Sequence, residues 1–363
     1  MAVEINKLLD LVVGKEASDL HLTVGLPPML RLHGRLRPLN LPPLQPEETI
    51  GYMKAITSER HQQEIKEKGG CDFGFAFETK ARFRVSIYTQ KGNTGLALRL
   101  IPSKIKTLEE VGLPPNITTL LNRPRGLILV TGPTGCGKTT TLAAMIDYIN
   151  KEMDTHIITI EDPIEYYHEH KKSIITQREV HADIGSFAEA LTKALRMDPD
   201  VVLVGEMRDL ETIQAAITAA ETGHLVFGTL HTTGAARTVN RMIDAFPKEQ
   251  QEQIRTQLAS SLIAVVSQML LPKADNTGVV AGFEIMIVTA AVANLIRENQ
   301  THKIISAIQT GKKEGMFLLD DFLFNLYQNK KINYQDMLEA AQSPADLQMK
   351  IQDYTKQQSP LKK

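Results

Sequence analysis

Gly126-Leu-Ile-Leu-Val-Thr131-Gly132-Pro133-Thr134-Gly135-Cys136-Gly137-Lys138-Thr139-Thr140 runs from apolar residues through a glycine-rich turn into a lysine and two threonines. Its first six residues are apolar enough to be a buried strand, and Thr141-Leu-Ala-Ala-Met-Ile-Asp-Tyr148 beyond it favours a helix. Between them stands a complete GxxxxGK[ST] pattern in its strand–loop–helix setting. Glycines let backbone N–H groups turn inward around a polyphosphate, and the helix N-terminus adds favourable partial charge. The pattern predicts that residues 132–140 bind a nucleoside triphosphate, that Lys138 reaches the β- and γ-phosphates, and that Thr139 ligates Mg²⁺.

The rest of the chain bounds what such a site can serve. A chain of 363 residues suits two domains better than one. With 41 basic and 42 acidic residues the formal charge is −1, so the global basic field that usually accompanies nucleic-acid binding is missing. No apolar run is long enough to span a bilayer, and Met1-Ala-Val-Glu-Ile-Asn-Lys7 has no signal-peptide pattern. Cys71 and Cys136 are the only cysteines, which excludes a four-cysteine zinc site and a disulfide framework. A cytoplasmic location is expected.

The first hundred residues predict a small α+β domain with an antiparallel sheet. A helix covers Leu8 to Val13, and strands fit 19–23, 29–36, 73–78, 81–88 and 94–101. Alternation in Ala81-Arg-Phe-Arg-Val-Ser-Ile-Tyr88 puts Arg82, Arg84 and Ser86 on one face. Residues 102–115, with Leu113-Pro-Pro115, read as a linker between domains 1–101 and 116–363. From residue 116 the α/β alternation predicts a mostly parallel sheet. Strands fit 126–131, 156–160, 173–177, 200–205 and 224–230; helices fit 138–150, 186–196, 209–222 and 248–266. From about 289 the chain reads as helices, and residues 355–363 as a frayed tail.

Hydrolysis needs something to hold the metal and something to activate water. Val201-Val-Leu-Val204 is an apolar strand that ends in Gly205-Glu206, and Glu206 is the candidate metal acid. Thr159-Ile-Glu161-Asp162-Pro163-Ile-Glu165 leaves another strand at the sheet edge where open α/β proteins bind ligands. A lone Glu-Asp-Pro is ordinarily a solvated turn; beside a phosphate loop, Glu161 and Asp162 become site candidates and Glu165 the water-polarising base. Gly223-His224-Leu-Val-Phe-Gly-Thr229-Leu-His231-Thr-Thr-Gly234 is a strand with a histidine at each end. His231 is the candidate γ-phosphate sensor, and His224 a weaker nucleotide candidate. Cys136 fits simply as a small loop residue.

Together these blocks resemble the secretion ATPase superfamily, and within it the type IV pilus retraction ATPases. The phosphate loop matches the Walker A, Ile158–Glu165 the Asp box, Asp198–Glu211 an atypical Walker B, and Thr222–Thr233 the His box. Ala17-Ser-Asp-Leu-His-Leu22, Gln177-Arg-Glu-Val-His181 and Ala307-Ile-Gln-Thr-Gly311 are further marks. The resemblance implies a PAS-like N-terminal domain, a RecA-like P-loop ATPase domain with C-terminal helices, and a homohexameric ring. It implies Lys138 and Thr139 on phosphate and metal, Glu206 as Walker B acid and Glu165 as catalytic glutamate. Arginines of the N-terminal domain also serve the phosphates in this family; Arg82, Arg84 and Arg99 are the candidates, with Arg196 before the Walker B strand as another. Implied partners are an inner-membrane platform protein, which would hold the motor peripherally at the inner membrane, and a paralogous retraction ATPase. Nucleic acid and zinc are not expected. One departure is Ala293 in Ala290-Ala-Val-Ala293-Asn-Leu-Ile-Arg297, where the retraction motif has arginine. Assembly or secretion ATPases, which carry zinc cysteines, a nucleic-acid motor and a non-hydrolysing scaffold are the competing readings.

Overall fold

The computed structural model describes residues 4–32, 34–78, 80–101, 104–275 and 277–358. The chain groups into two compact units. The first runs to Lys104 and includes Pro163–Tyr167; the second holds Ile105–Asp162 and everything from His168 on.

The first unit is built on a six-stranded sheet in the order β3-β2-β1-β6-β5-β4. Its strands are β1 (Asp19–Leu22), β2 (Met29–Leu32), β3 (Arg35–Pro38), β4 (Gly70–Phe77), β5 (Ala81–Gln90) and β6 (Asn93–Ile101). Every pairing is antiparallel. Alternation gives the sheet a buried face, where Leu20, Leu22, Phe83, Val85, Ile87, Leu96 and Leu98 pack with Leu8, Leu9 and Val12 of helix Ile5–Gly14. The single strand expected over 29–36 is instead two antiparallel strands, β2 and β3. Helices Pro46–Ile56 and Glu59–Lys68 complete the unit.

The second unit carries a seven-stranded sheet, β13-β12-β7-β11-β10-β8-β9. Here β7 is Gly126–Thr131, β8 His156–Glu161, β9 Ile174–Glu179, β10 Val201–Val204, β11 Leu225–Leu230, β12 Leu262–Pro272 and β13 Val279–Ile287. All neighbours are parallel except β12 and β13. Buried on both faces, β7, β10 and β11 are continuous apolar runs, as parallel strands require. Phe227, fully buried, sits on the central β11.

Three further expectations need correction. The helix expected over 248–266 stops at Ser261, and residues 262–272 are β12 beside the phosphate-loop strand. The expected linker is only partly one: residues 102 and 103 lie outside the described residues, but Leu108 and Leu113 are buried in the second unit's core. Thr107 caps the short helix between them by a reciprocal bond pair with Glu110. At the other end, helix Pro344–Gln358 runs through the first four residues of the expected frayed tail, and 359–363 lie outside the described residues.

Candidate active site

The parallel strands β7, β8, β10 and β11 end at one edge of the sheet, and the candidate motifs follow those ends. The phosphate loop leaves β7 and enters helix Lys138–Glu152. Pro133, Thr134 and Gly135 are exposed, while Gly132 and Cys136 are buried. Gly132 is required sterically as well as conformationally. Its φ is +143°, and a Cβ there would stand 2.2 Å from the backbone oxygen of Gln268 and 2.7 Å from the Cys136 sulfur. The Lys138 ammonium donates to the carbonyls of Gly132 at 2.9 Å and Pro133 at 3.1 Å, so it lies along the loop it serves.

Glu206 follows β10 through Gly205. A Cβ at 205 would press on the Ile160 carbonyl at 3.0 Å, and the Gly205 N–H donates to that same oxygen. This close approach to β8 explains the glycine before the acid. Thr229 of β11 donates to the Gly205 carbonyl at 2.6 Å and accepts from Met207 N–H through its own carbonyl, fastening the turn from the other side. Glu206 Oε1 is 2.7 Å from His231 Nε2 and is also bonded to the Arg208 guanidinium. His231 Nδ1 lies 3.4 Å from Thr134 Oγ1 of the phosphate loop. Burial pushes the Glu206 carboxyl upward, but its bonds to Arg208 and His231, with their charges, outweigh that and hold its pKa below the ordinary value. Thr134, Glu206, Arg208, His231, Thr232 and Arg241 line a cleft of about 590 Å³.

The structure therefore brings together Thr134, Lys138, Glu206 and His231. A carboxylate beside the hydroxyls of a phosphate loop is the hard-oxygen donor chemistry that suits Mg²⁺, and a loop of inward-turned amides at a helix N-terminus suits a polyphosphate. Glu161 is nearly buried and accepts from Thr159 at 2.7 Å, which makes it an internal hydrogen-bonding group. Asp162 is exposed and its charge acts on Arg208. Glu165 is half-buried in the segment grouped with the first unit.

Two candidates fall outside this edge. His224 precedes β11 rather than following it, so it lies at the opposite edge, about 20 Å away for six strand residues. Its Nδ1 bonds the Ala219 carbonyl at 2.9 Å, a helix-capping role. Arg196 lies past helix Phe187–Ala194 and before β10, again at the strand-start edge, in a groove with Glu189, Lys193 and Glu211.

The three N-terminal arginines differ from one another. Arg84 and Arg99 are direct cross-strand partners, and Arg82 is two residues along the same strand, so all three share a face. Arg84 is exposed. Arg82 lies over the Tyr167 ring, 3.0 Å from its centroid. Arg99 donates to Asp19 at 2.9 Å, and Arg31 approaches the other Asp19 oxygen at 3.4 Å. Burial raises the Asp19 pKa, but the bond to Arg99 and its charge bring it below the ordinary value. Arg99 thus has a partner in its own sheet.

Several residues of the site were not among the sequence candidates. Gln268 of β12, 3% exposed, donates to the Cys136 carbonyl at 2.6 Å and accepts from Thr141 at 2.7 Å, bracing the phosphate loop from beneath. Its neighbour Ser267 accepts from the Gly234 N–H at 2.9 Å. Glu284, paired with Ser267 across β12 and β13, accepts from the Ala235 N–H at 2.7 Å. One strand pair thus supports both the phosphate loop and the turn that carries His231. Reading 262–266 as helix left no strand expected at Ser267 and Gln268, and β13, which carries Glu284, was not expected either. Arg208 had a visible signal, standing two residues from Glu206.

Residues 2–313 match the family model described as Type II/IV secretion system protein. The chain is 49% identical over 342 residues to the type IV pilus retraction ATPase PilT of Pseudomonas aeruginosa, covering 94% of this chain and 99% of that protein. It is 41% identical to the type IV pilus ATPase PilU of the same organism, covering 96% of this chain and 91% of that one. A crystal structure of the pilus retraction motor PilT with bound ADP superposes with a TM-score of 0.90 at 46% identity, covering 96% and 99% of the two chains. The two units are accordingly an N-terminal α+β domain and a RecA-like domain. The chain therefore belongs to the type II/IV secretion system protein family and is a P-loop ATPase.

Proposed function

We propose that this ATPase is the motor of type IV pilus retraction, working as a homohexamer in the cytoplasm against an inner-membrane platform protein. The reading is supported by identity to PilT over nearly the whole of both chains. The observation that carries the chemistry is the Glu206–His231 bond beside Thr134 of the phosphate loop. In this reading the bond keeps an ionised acid beside a histidine that registers the γ-phosphate.

In this reading residues 132–140 bind the phosphates of ATP, and Thr139 and Glu206 hold Mg²⁺, directly or through its waters. The metal would neutralise charge building on the phosphoryl oxygens. Glu165 polarises the attacking water. Arg84, and with it Arg82, supplies guanidinium charge to the transferring group, for which the planar fork of arginine is suited. Lowering the Glu206 pKa keeps that carboxylate ionised across the neutral range.

Ala293 favours a second reading, a paralogue of altered output. It lies against the main core, on the helix Ala290–Arg297 where the retraction motif carries arginine. In Pseudomonas aeruginosa a second type IV pilus ATPase, PilU, occurs beside PilT.

Lys138→Ala and Glu206→Ala are each expected to reduce steady-state ATP hydrolysis at least about a hundredfold, the scale on which lost transition-state charge stabilisation acts. Glu206→Ala should retain nucleotide binding, since the loop amides remain. Wild-type turnover in either variant defeats the site assignment.

A further inference from the structure

Gln177 opens the Gln-Arg-Glu-Val-His181 block, to which neither ATP binding nor hydrolysis has so far given a task. It sits on β9, directly opposite Thr159 of β8. The chain leaves β8 at Glu161, passes through Asp162–Tyr167 with Glu165 in the middle, and returns at His168. Gln177 reaches both limbs. Its amide oxygen accepts from the His168 N–H at 2.8 Å, and its amide nitrogen lies 3.3 Å from Glu161 Oε1, to which it donates.

Each limb is anchored further. Thr159 donates to the same Glu161 oxygen at 2.7 Å. On the return limb, fully buried Asn150 donates to the Glu169 carbonyl at 2.8 Å and accepts from the Lys171 N–H at 3.1 Å. The Asn150 carbonyl takes the N–H groups of Lys172 and Ser173. Asn150 belongs to the helix that starts at Lys138, so the return limb is tied to the phosphate-loop helix. Asp147 on that helix adds ion pairs to Lys171 and Lys151.

Across the mouth of the segment Gln177 is the cross-tie. A primary amide can accept from a backbone N–H and donate to a carboxylate at once. Glutamate lacks the donor at neutral pH, and methionine, of similar length, has no donor and only a weakly accepting sulfur.

We propose that Gln177 is a positioning residue for hydrolysis: by joining Glu161 to His168 it fixes the two ends of the segment that carries Glu165. This rests on the reading of Glu165 as the water-polarising base. Orientation of a catalytic group by even 1 Å is worth about a hundredfold in rate, while the phosphate loop does not depend on this tie.

The test is ATP turnover and fluorescent-ATP binding on the full-length protein with Mg²⁺. Gln177→Met is expected to lower kcat about tenfold or more, with the nucleotide Kd within about twofold of wild type. Gln177→Glu keeps an acceptor for His168, removes the donor and sets a second carboxylate against Glu161, 3.3 Å from the present amide nitrogen, so it too opens the tie and lowers kcat; it serves if the methionine variant does not fold. Glu165→Gln should lose hydrolysis and keep binding. Adding Gln177→Met to Glu165→Gln should then cost nothing more, because the group being positioned is already disabled. A wild-type kcat in a nucleotide-binding Gln177 variant overturns the proposal. So does a further loss in the double variant, which would mean that Gln177 acts apart from Glu165. Wild-type turnover in Glu165→Gln removes the base itself, a failure distinct from either.

Discussion

At the scale of single residues, the site depends on how closely backbone can approach backbone. Gly132 and Gly205 are not interchangeable with alanine for reasons that the contacts make explicit. At 132 a methyl group would collide with the Gln268 carbonyl, which is backbone and cannot swing aside, in a φ region unfavourable to any side chain. At Gly135, φ is +78° but the surrounding space is open, so only the backbone cost remains. Gly132→Ala is therefore expected to weaken nucleotide binding severely and to destabilise the fold by about 3 kcal/mol or more. Gly135→Ala should cost about 1 kcal/mol. Denaturant unfolding with a nucleotide titration distinguishes them; equal effects would contradict this account of the loop. Glu206, Lys138 and His231 were legible in the sequence because their motifs are local. Gln268, Ser267 and Glu284 were not, since each acts on a loop more than thirty residues away in sequence. His224 misled for the opposite reason. Its motif is shared with His231, but six strand residues separate them, and only the strand's direction tells which end meets the nucleotide.

At the scale of elements, β12 is the instructive case. Its residues Leu262-Ile-Ala-Val-Val-Ser-Gln-Met-Leu-Leu271 continue an apolar pattern begun in helix Gln251–Ser261. A buried parallel strand and a buried helix look alike in such a run; the β-branched Ile263, Val265 and Val266 were the available signal. By contrast β7 began and ended where its apolar run does, because glycines punctuate both ends. Glu284 of β13 offers a test of this scaffold. Burial raises its pKa, against the bonds from Ala235, Leu319 and Gln342 that lower it, and Asp320 nearby adds to the rise. A raised carboxyl pKa in the folded state favours the protonated form. Its stabilising contribution is complete below the ordinary value of 4.5 and is lost as pH rises through the raised one. Glu284→Gln keeps the neutral form at every pH and can still accept from Ala235. Its thermal midpoint should match wild type near about pH 4 and exceed it increasingly toward about pH 7. A variant that is less stable than wild type at neutral pH would contradict the assignment.

At the scale of the whole molecule, each unit has its own hydrophobic core and its own part in the proposed reaction. The two-domain division and the parallel ATPase sheet were visible in the sequence, as a change from antiparallel alternation to α/β alternation. Helices Pro46–Ile56, Glu59–Lys68 and Ala235–Asp244 were not foreseen, the second because its composition is almost wholly polar. Exposed Arg84 on the first unit tests the proposal that hydrolysis needs both units. Arg84→Ala should lower turnover of the assembled protein about tenfold or more while leaving its thermal midpoint unchanged; full turnover would confine the active site to the second unit. An ATP-driven retraction motor has a direct signature in cells. The gene is deleted and complemented with wild type or with Lys138→Ala, and surface pili and twitching motility are scored together. The account predicts excess surface pili and lost twitching in the deletion, reversed by wild type and not by Lys138→Ala. Absence of surface pili in the deletion would contradict it and make the motor one of assembly.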